Sequence, residues 1–188
     1  MASQTRQVRI IGGQWRRTRL PVAEQPGLRP TPDRVRETLF NWLGQDLGGW
    51  RVVDAFAGTG ALGFEAASRG AASVLLVEQS APLIAQLCML KERLHADAVR
   101  VQRGDGVAAL NAQAPAGTDL VLLDPPFGAP ALFAPALAAA ARAVRAGGFV
   151  YLEAPAAWDD AALADAGLRL HRHLKAGAVH AHLLRPFA

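Results

Sequence analysis

From Arg51 onward, short continuous apolar runs alternate with longer stretches in which apolar residues recur every three or four positions. The runs at 51–55, 73–78, 98–103, 119–123 and 148–153 predict strands, and the stretches at 61–69, 81–94, 106–113, 131–145 and 158–166 predict helices. Continuous apolar strands alternating with helices imply a parallel sheet covered on both faces. The pattern changes at the end, where Leu168 to Lys175 and Ala178 to Arg185 flank Ala176-Gly177 and predict an antiparallel hairpin. Pairing about that turn would set His171 opposite His182 and His173 opposite His180, with Leu170, Leu174, Val179 and Leu183 buried behind.

Ahead of Arg51 the pattern is different. Val8 to Leu20 predicts a hairpin about the Gly12-Gly13 turn, with Ile10 opposite Trp15, Val8 opposite Arg17 and Arg9 opposite Arg16. Two isolated strands are marginal in water, so this hairpin must dock on the rest of the chain or order on a partner. Thr31-Pro32-Asp33 predicts a helix start: Thr31 as N-cap, Pro32 in the first turn and Asp33 near the positive end of the dipole. Val35, Leu39, Trp42 and Leu43 form its buried stripe, with Arg34, Glu37, Thr38 and Asn41 off it. The division expected is residues 1–30 as a basic hairpin and loop, and 31–188 as an α/β domain.

With 188 residues, 51% of them hydrophobic, the chain can bury one full core and carry a small appendage. The single cysteine, Cys88, excludes an internal disulfide and fits a reducing compartment; its helix, with Leu83, Leu87, Leu90 and Leu94, predicts a core position. No apolar run approaches the length of a membrane span, and no signal-peptide core is seen, so a cytoplasmic protein with no membrane partner is expected. Trp50 and Trp158 read as packing residues.

Charge changes the picture. Residues 1–36 hold eight arginines against Glu24 and Asp33, a net +6, while the remainder nets −2. Such clustering is the footprint of a nucleic-acid contact. Arg9, Arg16, Arg17, Arg29, Arg34 and Arg36 are the candidates, with the hairpin arginines on a mobile element above the rim of the site. The four histidines of the terminal hairpin could make up a metal-ligand set, but a solvated or RNA-facing surface is the expectation, with no metal.

The chemistry begins at Asp54-Ala55-Phe56-Ala57-Gly58-Thr59-Gly60-Ala61-Leu62-Gly63, between a predicted strand and a predicted helix. Its glycines let backbone approach a ligand closely, and its N–H groups favour an anionic or carboxylate-bearing ligand. Twenty residues after Gly58, Glu78 ends the next strand, placed to accept hydrogen bonds from ribose hydroxyls. Together they indicate an adenosine-containing cofactor. The glycine spacing alone would equally suit a nicotinamide dinucleotide. Asp54 ahead of the glycines, and Asp124-Pro125-Pro126-Phe127 after the apolar run 120–123, favour another cofactor.

That second motif resembles [D/N]-P-P-[F/Y], the signature of S-adenosylmethionine-dependent methyltransferases that modify exocyclic amino groups. The resemblance implies a class I methyltransferase fold: a Rossmann-like, mostly parallel seven-stranded sheet with an antiparallel C-terminal hairpin, helices on both faces, and here a small N-terminal hairpin extension. It implies catalysis by Asp124, Pro125, Pro126 and Phe127. S-adenosylmethionine would be held by Asp54, Phe56, Ala57, Gly58, Thr59, Gly60, Glu78, Gln79, Asp105, Gly106 and Asp124. N6-adenine DNA methyltransferases share the motif but usually carry a target-recognition insertion for which this chain has no room. A non-catalytic RNA-binding module on a decayed cofactor fold would not need both motifs intact.

Residues 9–16 (Arg-Ile-Ile-Gly-Gly-Gln-Trp-Arg) and 27–43, which contain Arg29-Pro30-Thr31-Pro32-Asp33-Arg34-Val35-Arg36, resemble the bacterial RsmD family of 16S ribosomal RNA guanine-N2 methyltransferases. That resemblance implies methylation of one guanine in the small ribosomal subunit or a late assembly intermediate; a monomer is expected.

Overall fold

The computed structural model describes residues 7–22 and 31–187. Arg29, one of the expected RNA contacts, lies outside them. Five parallel strands form as the apolar runs require: β3 (Arg51–Asp54), β4 (Ser73–Glu78), β5 (Val99–Arg103), β6 (Thr118–Leu123) and β7 (Val144–Ala154). Two antiparallel strands, β8 (Leu168–Ala176) and β9 (Val179–Pro186), complete a seven-stranded sheet of order β5-β4-β3-β6-β7-β9-β8. The small hairpin β1 (Gln7–Arg9) and β2 (Arg19–Pro21) is a separate two-stranded sheet. This is the class I methyltransferase architecture that the sequence implies.

Strand residues alternate between two cores. Val52, Leu76, Leu122, Tyr151 and Leu183 face the helices α1 (Asp33–Leu43), α2 (Ala61–Ser68) and α3 (Ala81–Leu94). Val53, Val121, Leu123, Leu152 and Leu184 face α4 (Gly106–Asn111), α5 (Phe133–Ala143) and α6 (Asp160–Asp165). Helix α2 is apolar or small nearly all round, and every one of its residues is buried. In α3 the buried stripe is Leu83, Leu87 and Leu90; Cys88, expected in the core, falls off that stripe and is exposed. Trp50 stacks on Phe149 and Trp158 on Phe133, so both pack as expected. No helix among the described residues is long and apolar enough to cross a membrane.

The N-terminal hairpin exists, but its register differs from the expected one. Arg9 pairs with Arg19 and Val8 with Leu20, so Gly12-Gly13 is not the hairpin turn. It is the close approach of a longer loop to the end of α2. A Cβ on Gly13, whose φ is +75°, would lie 1.8 Å from the Ser68 carbonyl oxygen. Gln14 N donates to that carbonyl, Trp15 N to Ser68 Oγ, and Ser68 Oγ to Gly12 O at 2.6 Å. Ile11 N and Gly12 N donate to the two oxygens of Glu65, each at 2.8 Å. The hairpin is therefore docked rather than borne on a free element. Its loop sits at the C-terminal end of α2, roughly 10 Å of helix rise from the glycine loop.

Arg36, expected at an RNA surface, has 0% exposure. Its guanidinium donates to Glu65 Oε2, Asp33 Oδ1, Arg9 O and Thr31 O. Arg69 joins from the other side, donating from Nε to Glu65 Oε1 at 2.9 Å while its guanidinium lies over the Phe40 ring. Thr31 does not cap α1 by its side chain; the N-cap is Pro32, and the Thr31 hydroxyl is used elsewhere.

In the terminal hairpin, an irregularity between Leu170 and Arg172 shifts the pairing by one residue. The turn falls on Gly177-Ala178, with Ala176 paired to Val179, so on the turn side of the irregularity the pairing lies two residues from the expected one: His173 faces His182, and Lys175 faces His180. Leu170 is exposed instead of buried, because the irregularity at His171 breaks the alternation of the strand.

Candidate cofactor and amine site

Parallel strands deliver side chains at their carboxyl ends, where open α/β sheets bind ligands. Asp54 ends β3, Glu78 ends β4, Asp105 follows β5, Asp124 follows β6 and Glu153 lies near the end of β7. The loop after Asp54 is fixed by backbone bonds from Ala57 N to Val77 O and from Gly60 N to Ala57 O. Gly60 has φ +80°, and a Cβ there would come within 2.6 Å of Leu87. Phe56 packs partly buried, while Ala57 and Thr59 are buried within the turn.

Each carboxylate is held differently. Asp54 is buried; its Oδ2 accepts from Gly63 N at 3.0 Å, and its Oδ1 has no protein partner. Burial lifts its carboxyl to about 7, against the Gly63 N–H bond and the nearby Phe56 N–H dipole and helped by the charges of Glu78 and Glu153. A buried acceptor without a donor fits a ligand that brings a cationic or N–H-bearing group. Glu78 accepts from Gly58 N, Gln79 N and Ser80 N, so its carboxylate is aimed by three backbone donors. Asp105 caps α4 through Ala108 N, and its Oδ2 accepts from Gln79 Nε2, tying the adenine-side candidates together. Gly106 is buried at the start of α4. These features fit an adenosine cofactor with a cationic arm.

Asp124 sits between Asp54 and Glu153 in the order of strands. Burial first, then the charges of Glu153 and Asp54, push its carboxyl well above the ordinary range. Pro125 is buried and Pro126 exposed; Ala129 N donates to Pro126 O and closes the loop. Phe127 is 38% exposed, an aromatic face open to a planar partner. Arg9 and Arg34 are exposed near the start of α1, where Thr31 reaches Glu153, so they lie toward this end of the sheet. Arg9 also pairs with Asp33. Arg16 and Arg17 are exposed on the loop by Ser68, toward the opposite end.

Three residues of this region escape sequence reasoning: Glu153, Tyr151 and Thr31. Thr31 Oγ1 donates to Glu153 Oε1 at 2.6 Å, and Tyr151 OH donates to the same oxygen at 2.9 Å. A signal for Glu153 was present, since it closes the predicted strand 148–153 just as Asp54 and Glu78 close theirs. His182 is buried, its Nε2 accepting from Trp158 N, while His173 and His180 are linked to each other at 3.0 Å. Among the described residues no group of three or more His, Cys, Asp or Glu is arranged to hold a metal.

The sequence profile of the family described as conserved hypothetical protein 95 matches residues 8–185. The chain is 49% identical over 121 residues to ribosomal RNA small subunit methyltransferase D of Escherichia coli, a match covering 64% of this chain and 61% of that one. The chain thus spans 61–64% of the length of the first curated relatives that it matches. Among solved structures, the candidate methyltransferase yhhF of Escherichia coli superposes with a TM-score of 0.80 at 35% identity, covering 96% of this chain and 98% of that one. The candidate methylase HI0767 of Haemophilus influenzae gives 0.78 at 28% identity, covering 97% and 99%.

Proposed function

The chain belongs to the family described as conserved hypothetical protein 95, and from that premise we propose that it methylates the exocyclic N2 amino group of a guanine in 16S rRNA of the small ribosomal subunit, using S-adenosylmethionine. The observation that carries this reading is the row of carboxyls at the strand ends, in which Asp54 has a buried acceptor with no protein partner and Asp124 opens a loop presenting Phe127. When bound, S-adenosylmethionine supplies a methyl group already activated by its sulfonium. Glu78 accepts from the ribose hydroxyls, Asp54 Oδ1 from the cationic arm, and Gln79 with Asp105 lines the adenine side.

The nucleophile is the harder half. A guanine amino nitrogen has its lone pair conjugated into the ring. Hydrogen bonds from its N–H groups to Asp124 and to the Pro125 carbonyl turn that lone pair toward the methyl donor; as the N–C bond forms the S–C bond breaks, and the nitrogen, made acidic by alkylation, releases its proton to solvent without a strong base. Two prolines keep these acceptors aimed, and Phe127 stacks on the base, a contact worth about 1–3 kcal/mol in single-stranded sites. Alignment is the main contribution, and well-oriented reactants gain on the order of 7–11 kcal/mol.

The test is methyl transfer to small subunits from a strain lacking this modification, followed by mapping of the product base. A product on guanine N2 supports the reading; transfer to duplex DNA adenine instead of subunits overturns it. For the cofactor, Glu78→Ala should weaken S-adenosylmethionine binding by roughly tenfold or more, since a hydrogen bond to a charged group is worth about 1.5–3 kcal/mol. Calorimetry on a variant with wild-type melting checks this, and unchanged affinity would remove Glu78 from the ribose.

For the RNA, the position of the arginines divides them. Arg9→Ala with Arg34→Ala should flatten the plot of log affinity for small subunits against log salt by roughly 1.4 units, near 0.7 per phosphate contact. Arg16→Ala with Arg17→Ala, at the far end of α2, should change the slope less. Equal slopes in all three proteins would put recognition elsewhere, with the histidine-bearing hairpin the next surface to test.

A further inference from the structure

Three carboxyls, Asp54, Asp124 and Glu153, stand at the carboxyl ends of the adjacent strands β3, β6 and β7. The residues before them, Val53, Leu123 and Leu152, all face the α4–α5–α6 core. By the alternation of a strand, the three carboxyls share the opposite face, which α1, α2, α3 and the N-terminal segment cover. Leu123 pairs with Leu152, so Asp124 and Glu153 come next in register, side by side. Glu153 is only 3% exposed, yet its Oε1 takes two hydroxyl donors, one of them from Thr31 at the far end of the sequence. Packing alone asks for no carboxyl at that place.

We propose that Glu153 is a positioning residue of the site: clamped by Thr31 and Tyr151, it keeps a negative charge beside Asp124 and decides whether Asp124 meets the target amine as carboxylate or as carboxylic acid. The inference rests on the proposed methyl transfer. A half-buried carboxyl, Asp124, beside a buried one, Glu153, cannot ionise together with it cheaply. Burial lifts both, but Glu153 has the Thr31 and Tyr151 hydroxyls and the Arg36 charge in favour of its anion. Asp124 faces only the burial and the charges of Glu153 and Asp54, with Glu78 further along at the end of β4. The shared proton therefore resides on Asp124. A protonated Asp124 offers an amine a neutral carbonyl acceptor in place of a carboxylate.

The test reads Asp124 directly. Carboxyl carbons are followed by NMR through a pH titration of the full-length protein, with the Asp124 signal assigned by its loss in Asp124→Asn. In Glu153→Gln the neighbouring negative charge is gone, so the Asp124 midpoint should fall by about one pH unit or more. Tyr151→Phe and Thr31→Val each remove one donor from Glu153, weaken its claim to the charge, and should lower the midpoint by less. The pH inflection of methyl transfer should move in the same direction, whichever form of Asp124 is competent. A purely structural Glu153 would change melting or the amount of active protein and leave the inflection in place. An Asp124 midpoint that stays put in Glu153→Gln and in Tyr151→Phe, each shown folded, overturns the proposal. A midpoint that moves in a protein that methylates no RNA overturns the assigned reaction and leaves the coupling of the two carboxyls standing.

Discussion

Asp124→Ala is expected to bind S-adenosylmethionine within a few-fold of wild type and to lose methyl transfer by on the order of a hundred- to a thousandfold, the effect of removing one preorganised hydrogen-bonding group from an active site. The cofactor candidates Glu78, Gln79 and Asp105 are bound to one another and to backbone N–H groups, so they keep their places without Asp124. Asp124→Asn should retain much more activity, because the amide keeps a carbonyl acceptor for the amine. Phe127→Ala should keep cofactor binding and lose activity through poor placement of the base. Single-turnover methyl transfer with saturating cofactor separates these effects from binding. An Asp124→Ala protein near the wild-type rate would end the amine-orienting role.

Glu65→Ala should be the most destabilising single change. The carboxylate is wholly buried and accepts from Ile11 N, Gly12 N, Arg36 Nη1 and Arg69 Nε. Truncation leaves two buried guanidinium groups and two backbone donors short of a partner. Removing one side of a buried ion pair costs about 3–5 kcal/mol. For a domain of this size that corresponds to a fall in melting temperature of roughly 10 °C. Limited proteolysis should then cut first in the N-terminal segment, whose loop loses its anchor. Calorimetry showing a loss below about 1 kcal/mol would mean that the network is not what fastens this segment.

Much of the fold was legible because its signals are local. The five parallel strands and the helices between them came from period and run length, and their observed bounds differ mostly by a few residues. The carboxyls at the strand ends were visible for the same reason, since an acidic residue after an apolar run is a pattern within one segment. What was missed depends on contacts between distant segments. Gly12-Gly13 reads locally as a turn, but its glycines answer to Ser68 and Arg69. Arg36 reads as a surface cation beside Arg34, and only the buried Glu65 turns it inward. Thr31 reads as a cap, and it is Glu153 that draws its hydroxyl away from α1. A two-residue turn at Gly177-Ala178 reads locally as well as one at Ala176-Gly177, and choosing between them moves the histidine pairing by two residues.

The bond from Thr31 to Glu153 spans 122 residues, whereas the bonds that fasten the N-terminal loop to α2 span 53 to 56. Chains emerge from the ribosome N-terminus first, and contacts between distant residues form late. The side chains that fasten the hairpin and its loop lie on α1, α2 and α3, all in the first half of the chain. The carboxyl row waits for β7, and the strand beside β7 is the last to be made, because β9 slots between it and β8. A growing chain thus holds every hydrogen-bonding partner of that loop well before it holds the last carboxyl of the row. A chain stopped short of residue 150 would keep the arginines and lack Glu153, the partner of Thr31 and the last carboxyl of the row to be made.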